Sequence, residues 1–313
     1  MVSSVSHFQI HHGYYLLPRD FSHKELSDLS VLHLRHTNDD HYDFFHCGSA
    51  QDLLQNVPVL ILQSNQYFVP SLFMIPSFRQ DLTKMFPEKD TIFHLLGNYL
   101  FHPSNIACKF ISNFYQNHLS MATQKIGLQI RLFDTQKEPH QVVLNKILAC
   151  TSKNNLLPQS DGRTSVTSTP SQNHNTSKAV LVISLYSEYG NKLKAMYMAN
   201  TSESNEVIRV YQPSHEENQS SNDNKHNMKA WTEMYLLGLT DALITSSFST
   251  FGYVAHAQGL GDLKPWILKS TFSGEVPDPP CERAMSMDPC FHYPPKGDCS
   301  SNNYQYYFFL SSY

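Results

Sequence analysis

The chain has 313 residues, enough for two packed domains, since single cores seldom grow past roughly 250 residues before they split. With 23 Lys and Arg against 27 Asp and Glu the formal charge is only -4, so the totals offer nucleic acid no polyelectrolyte surface. The 41% hydrophobic share, with 19 Phe and 17 Tyr, suits a globular core and excludes a disordered or coiled-coil chain.

In chain order, residues 1–120 mix short helical and extended signals punctuated by Pro58, Pro70, Pro76, Pro87 and Pro103. The stretch 77–86 puts Phe78, Leu82 and Phe86 at i, i+4 and i+8, which predicts a short helix with one buried face. A second helix is expected over 106–119. From Lys125 onward strand and helix alternate. The run IGLQIRLF (126–133) reads as a buried parallel strand, followed by a helix over 142–150 and a strand over 179–185. A helix over 192–198, a strand over 206–212, a helix over 229–239 and a strand over 242–245 complete the pattern. The 229–239 helix carries Trp231, Tyr235 and Leu239 on one face. Such alternation builds a doubly wound parallel sheet with ligands at the C-terminal edge of its strands. Between the first two units, residues 154–178 are too rich in Ser, Thr, Asn and Gln to bury and read as a surface insertion.

The longest apolar runs, 57–62 and 179–185, fall far short of the roughly 20 residues that cross a bilayer. Residues 1–12 lack the basic start and apolar stretch of a secretory signal. Against this stand sequons at Asn175, Asn200 and Asn218, and six cysteines with Cys281, Cys290 and Cys299 evenly spaced. Two readings remain open: a glycosylated, disulfide-bearing secretory protein, or chance sequons in Asn/Ser-rich loops and cysteines that simply pack.

The sharpest local pattern is ITSSFSTFGYVAHAQG, where a strand gives way to Ser246, Ser247, Ser249, Thr250 and Gly252 and then to a helix. Hydroxyls and backbone N–H groups gathered at a helix N-terminus hold phosphate, although an N-capping Ser/Thr cluster without a ligand has the same composition. Arg131, near the end of the first buried strand, is costly there unless paired, either by a diphosphate or by a structural carboxylate. At the end of the third strand, Gln212, Ser214, His215 and Glu216 could meet a base or ribose, or solvate a loop. No P-loop, G-x-G-x-x-G, H-E-x-x-H, C-x-x-C or G-x-S-x-G spacing occurs, which argues against kinase, dehydrogenase, zinc and serine-hydrolase chemistry.

The strings FVPSLFMIPSF, MFPEKDTIFHLLGNYLFHPSN, IGLQIRLFD and QPSHE, with HNMKAWTEMYLLGLTDALITSSFSTFGYVAHAQGLGDLKPW and PDPPCERAMSMDPCFHYPP, resemble the plant α-1,2-fucosyltransferases, xyloglucan fucosyltransferases included. The resemblance implies an α/β, GT-B-like enzyme: a Rossmann-type doubly wound parallel sheet domain plus a partial second α/β half. It implies residues 1–120 as a partial acceptor-side half, 121–299 as the GDP-fucose-binding half and 300–313 as an atypical tail. It further implies transfer of fucose from GDP-fucose, with inversion and without a metal cofactor, to the 2-hydroxyl of a galactosyl residue in a cell-wall polysaccharide or glycan. The setting would be the Golgi membrane or lumen, and the work cell wall biogenesis.

Carried over by motif, Arg131 holds the donor diphosphate as the catalytic cation. Ser247, Ser249, Thr250, Phe251 and Gly252 form the phosphate-proximal loop, and Gln212, Ser214, His215 and Glu216 lie near the nucleotide. On the acceptor side stand Asn65 and Tyr67, where the family commonly has a carboxylate in place of Asn65. An amide cannot take a proton as that carboxylate can. The family's membrane anchor and N-terminal Ser-Gly-Leu-Gly-Asn-Arg stretch are expected upstream of where this chain begins. A truncated GDP- or glycan-binding remnant is therefore the alternative to an active enzyme.

Overall fold

The computed structural model describes residues 31–36, 58–64, 69–73, 76–88, 91–132, 138–158, 177–199, 207–220, 223–259, 263–270, 274–285 and 287–288. The chain divides into two compact units, Met1–Lys89 with Phe291–Tyr313, and Asp90–Cys290. In the first unit β1 (Val31–His36) and β2 (Val59–Ser64) pair in parallel, and α1 (Val69–Leu72) and α2 (Pro76–Met85) follow. The helix expected over 77–86 is present as α2, but its supposed buried face is not: Phe78 is 44% exposed. Apolar spacing sets the helix; it does not supply what covers it.

The second unit begins at Asp90, well before the division anticipated at residue 121. Two helices ahead of the sheet pack with it: α3 (Ile92–Leu100) lies against a later helix of this unit, and α4 (Asn105–Phe114) buries Ala107 and Ile111. Ser104 caps α4, its hydroxyl accepting the Ala107 N–H at 3.4 Å, and the helix runs on through a π turn, Tyr115–Leu119.

A six-stranded sheet follows: β3 (Gln124–Ile130), β4 (Ser177–Ser184), β5 (Val207–Tyr211), β6 (Ala242–Ser246), β7 (Trp266–Leu268) and β8 (Cys281–Arg283). Its order is β5-β4-β3-β6-β7-β8, parallel except for the antiparallel β7-β8 pair. The connecting helices are α5 (His140–Lys153), α6 (Ser187–Ala199), α7 (Asn224–Gly238) and α8 (Thr250–Ala257). The alternation read from the sequence is thus the fold. The short β7 and β8, which carry too little pattern to be read, extend it on one side.

Side chains on the sheet segregate by pleat. Ile126, Leu128, Ile130, Val180 and Val182 join Val143, Leu144, Ile147, Tyr189 and Leu193 in one core. On the other face Leu181, Ile183 and Leu243 meet Ile111, Leu236, Leu237 and Ala255. Each fully buried aliphatic side chain contributes about 1.5–3 kcal/mol, so a sheet buried on both faces is held far more firmly than the loops it carries. Cys150 at the end of α5 and Cys281 of β8 form a disulfide, tying the outer edge of the sheet to its helical layer. The evenly spaced Cys290 and Cys299 lie outside the described residues.

The Trp231–Tyr235 stripe of α7 is not its buried face. The buried residues of the helix are Thr232, Glu233, Leu236, Leu237 and Gly238, whereas Trp231 and Tyr235 are half-buried and pack edge to face with each other. The helix lies between α4, α8 and the sheet, so the aromatic stripe is the flank and the Leu pair is the core.

Candidate functional site

Strand β3 is the point where the winding reverses: β4 and β5 lie to one side of it, β6 and β7 to the other. In open α/β sheets the loops leaving the two strands at such a point diverge and leave a crevice at their C-terminal ends. Here the pairing Gln129↔Thr245 brings the ends of β3 and β6 level, and the crevice is a cavity of about 350 Å³.

Arg131 enters this cavity. The sequence places it inside the strand, but β3 ends at Ile130 and Arg131 is the first residue beyond. The Arg131 N–H donates to Ser246 Oγ at 2.9 Å, a side-chain bond where the ladder has run out. Its guanidinium Nη2 donates to Gln219 Oε1 at 2.8 Å.

Facing it, Phe248, Ser249, Thr250 and Phe251 line the same cavity. Ser249 is the N-cap of α8, yet its side chain makes no capping hydrogen bond, so the simple capping account of this hydroxyl cluster does not describe it. The first N–H groups of a helix have no partner within the helix, and the helix dipole adds to their attraction for anions. Phe248 has φ 56°, a left-handed conformation that costs a non-glycine residue of order 1–3 kcal/mol. Such strain is tolerated where it positions a functional loop.

Ser247 and Gly252 do not line the cavity. Gly252 serves packing instead: a Cβ there would fall 1.8 Å from Thr245 Oγ1. That hydroxyl is fixed, donating to Gln129 Oε1 at 2.7 Å, and the same Gln129 oxygen accepts the Ser246 N–H at 3.3 Å. Gly252→Ala is therefore expected to lower stability by about 1–3 kcal/mol, as overpacked cores do. Urea denaturation of the two proteins measures it, and an unchanged midpoint would contradict the packing assignment.

The loop after β5 forms the third wall. Ser214 and Glu216 line the cavity, whereas Gln212 and His215 do not. The Gln212 amide donates to the carbonyls of Ser184 and Tyr186 at 3.2 and 3.1 Å, which joins the ends of β5 and β4, and His215 is exposed. Glu216 pairs with His226 and Lys229 of α7, and these partners hold its carboxyl below the usual range.

The carboxylate that pattern reading missed is Glu233. It is 7% exposed, lines the cavity and accepts the Ser214 hydroxyl at 2.5 Å. Burial pushes its carboxyl up to about 7, only partly offset by the Ser214 bond. Its one sequence signal is a charge three residues before Leu236, on the face that the Leu236–Leu237 pair buries. Among the described residues, no group of three His, Cys, Asp or Glu is placed to hold a metal ion.

Asn65 and Tyr67, expected on the acceptor side, lie outside the described residues, as do the sequons at Asn175 and Asn200. Asn218 is exposed on the loop after β5.

Comparison with known proteins bears on the family and the fold. The chain is 48% identical over 290 residues to a galactoside 2-alpha-L-fucosyltransferase of Pisum sativum, covering 93% of this chain and 51% of that protein. It is 49% identical over 270 residues to a protein of the same name from Arabidopsis thaliana, covering 86% of this chain and 48% of that one. The chain thus spans about half the length of the curated relatives it matches. A solved structure of an Arabidopsis thaliana FUT1 mutant in complex with GDP superposes with a TM-score of 0.75 at 46% identity, covering 87% of this chain and 57% of that one. The family profile of the xyloglucan fucosyltransferases matches residues 19–300, nine-tenths of the sequence, and the chain belongs to that family.

Proposed function

We propose that this chain binds GDP-fucose in the β3–β6 crevice and takes part in transferring fucose to the 2-hydroxyl of a galactosyl residue in xyloglucan or another wall glycan. The observation that carries this reading is the convergence of three unlike recognition elements on one cavity. A guanidinium (Arg131) and a helix N-terminus (Ser249, Thr250) suit a diphosphate, and a buried carboxylate (Glu233) suits the N–H edge of guanine. The cavity faces the C-terminal edge of the sheet, where the diphosphate of a nucleotide sugar would leave.

The chemistry follows from that placement. The acceptor oxygen forms a bond to the anomeric carbon while the bond from that carbon to the β-phosphate breaks, and the acceptor proton passes to a base. Attack from the face opposite the leaving group inverts the anomeric centre. As the bond breaks, negative charge grows on the diphosphate, and fixed donors already aimed at it lower the barrier without reorganising. Arg131 and the Ser249–Thr250 turn are those donors. GDP-fucose is the donor substrate here, and no metal is invoked in this reading.

The division of labour follows the same logic: the sheet-bearing unit handles the donor, and the acceptor is met elsewhere in the protein, with Asn65 and Tyr67 on that side. The Cys150–Cys281 disulfide supports residence in an oxidising lumen such as the Golgi, where Asn218, exposed and in a sequon, is open to glycosylation. The test is transfer of labelled fucose from GDP-fucose to a galactosylated xyloglucan oligosaccharide, run beside calorimetry with GDP. Product supports the enzyme reading; GDP binding without product supports a donor-binding chain that does not complete transfer alone; absence of both refutes the site.

A further inference from the structure

The Arg131 side chain is anchored at its far end by Gln219, on the loop that follows β5, although the two residues are 88 apart in sequence. Both line the cavity. A surface loop presenting one side chain to a cationic group from such a distance needs restraint, and this loop has it at every turn. Ser214 is bonded to Glu233, and Glu216 is paired with His226 and Lys229 on α7. The Glu217 N–H donates to Leu185 O at 2.8 Å, while its carboxylate accepts the Ser187 N–H at 2.8 Å. Glu217 itself sits at φ 60°, the left-handed turn that redirects the chain just before Asn218 and Gln219. The bonds made by Ser214, Glu216 and Glu217 thus deliver Gln219 to the guanidinium.

We infer that Gln219 is a positioning residue for the diphosphate: its amide oxygen sets the orientation of the Arg131 guanidinium so that the planar fork meets the terminal phosphate. The inference rests on the donor-site reading above. The choice of an amide matters. A neutral oxygen orients an N–H donor without cancelling its charge, whereas a carboxylate at the same place would form an ion pair and compete with the phosphate. A guanidinium offers five N–H donors in a rigid plane, so fixing one fixes the direction of the rest.

GDP and GMP separate this role from general structural support, because they share base, ribose and first phosphate and differ in the terminal phosphate alone. Calorimetry on the full chain compares wild type with Gln219→Ala, Gln219→Glu, Arg131→Ala and the Arg131→Ala/Gln219→Ala double variant. Wild type is expected to prefer GDP to GMP. Arg131→Ala should reduce that preference by about ten- to a hundredfold, leaving what the Ser249–Thr250 turn supplies. Gln219→Ala should reduce it by about three- to tenfold, with GMP affinity unchanged, as expected for the loss of one orienting hydrogen bond. Gln219→Glu should lower GDP affinity further than Gln219→Ala does, and Gln219→Ala should have no effect once Arg131 is gone.

Gln219 is exposed, and circular dichroism confirms that each variant is folded before titration. Equal losses for GDP and GMP, an unaltered GDP preference in Gln219→Ala, or an effect that persists without Arg131 would each overturn the positioning role. A GDP preference undiminished by Arg131→Ala would instead overturn the donor-site reading, and a wild type that binds neither nucleotide overturns both.

Discussion

Replacing Arg131 with alanine is expected to weaken GDP binding by about one to two orders of magnitude, the loss of a charge-assisted contact worth about 1.5–3 kcal/mol. Transfer from GDP-fucose should fall further, by about 10²–10³-fold, because the charge on the departing diphosphate is greatest in the transition state and a fixed cation is worth most there. The variant should fold normally. The anchor of this position to β6 is the backbone N–H bonded to Ser246 Oγ, and alanine keeps it. Guanosine affinity should also be unchanged, since the residue is assigned to phosphate and not to base. Calorimetry with GDP and guanosine, followed by initial-rate measurements with GDP-fucose, checks each part. Equal losses for guanosine and GDP would show that the substitution had disturbed the cavity as a whole and would remove Arg131 from the diphosphate.

The sheet was legible because its strands are buried on both faces and so read as apolar runs, which few other local structures tolerate. In β4 the run from Ala179 to Ile183 is buried throughout, and β3 and β6 behave alike. Boundaries were less legible where side chains do the work of backbone. Arg131 follows the apolar Ile130 of β3 and precedes Leu132, so pattern alone extends the strand through it; the Ser246 hydroxyl that ends the pairing belongs to a segment far away in sequence. The extent of the sheet-bearing unit was hidden for a similar reason. Helices α3 and α4 precede the alternation and carry no strand signal, and tertiary packing, on α7, α8 and one face of the sheet, joins them to it.

The candidate site was half legible. Hydroxyls before a helix and an arginine after a strand are strong local signs, and the fold brings them to one cavity. The loop after β5 was found, but its residues were assigned by neighbourhood: Gln212 proved to join two strand ends, while Gln219, seven residues on, reaches the guanidinium. Glu233 was missed because Trp231 and Tyr235 advertise a more conspicuous face of the same helix. A large half-buried aromatic flank and a buried Leu pair have the same helical period, and the rotation of about 100° between them is decided by the neighbours of α7.

Glu233→Gln should separate the stability of this protein from its nucleotide binding, in opposite directions. The Glu233 carboxyl is pushed up to about 7 by burial, so between about pH 4.5 and pH 7 the folded chain keeps a proton that the unfolded chain has released. A raised carboxyl of this kind costs stability progressively across that window: nothing below it, and a constant amount above it. At 1.36 kcal/mol per pH unit the full cost is about 3 kcal/mol. Glutamine removes the titration and still offers an oxygen to the Ser214 hydroxyl. The variant should therefore match wild type near pH 4, gain on it up to about pH 7 and hold a fixed advantage beyond. Binding should run the other way. A carboxylate can accept both N–H groups on the edge of guanine, and an amide presents a donor where one acceptor is needed. Wild-type affinity for guanosine, which has no phosphate to titrate, is expected to rise with pH through about 7 as Glu233 ionises, with proton release on binding below that point. The variant should bind weakly at every pH. Urea midpoints at pH 5 and pH 8 give the first arm, and guanosine calorimetry in two buffers of different ionisation enthalpy gives the second. A variant that gains stability yet keeps the wild-type pH profile for guanosine would remove Glu233 from base recognition and leave it a buried acid with a structural partner only.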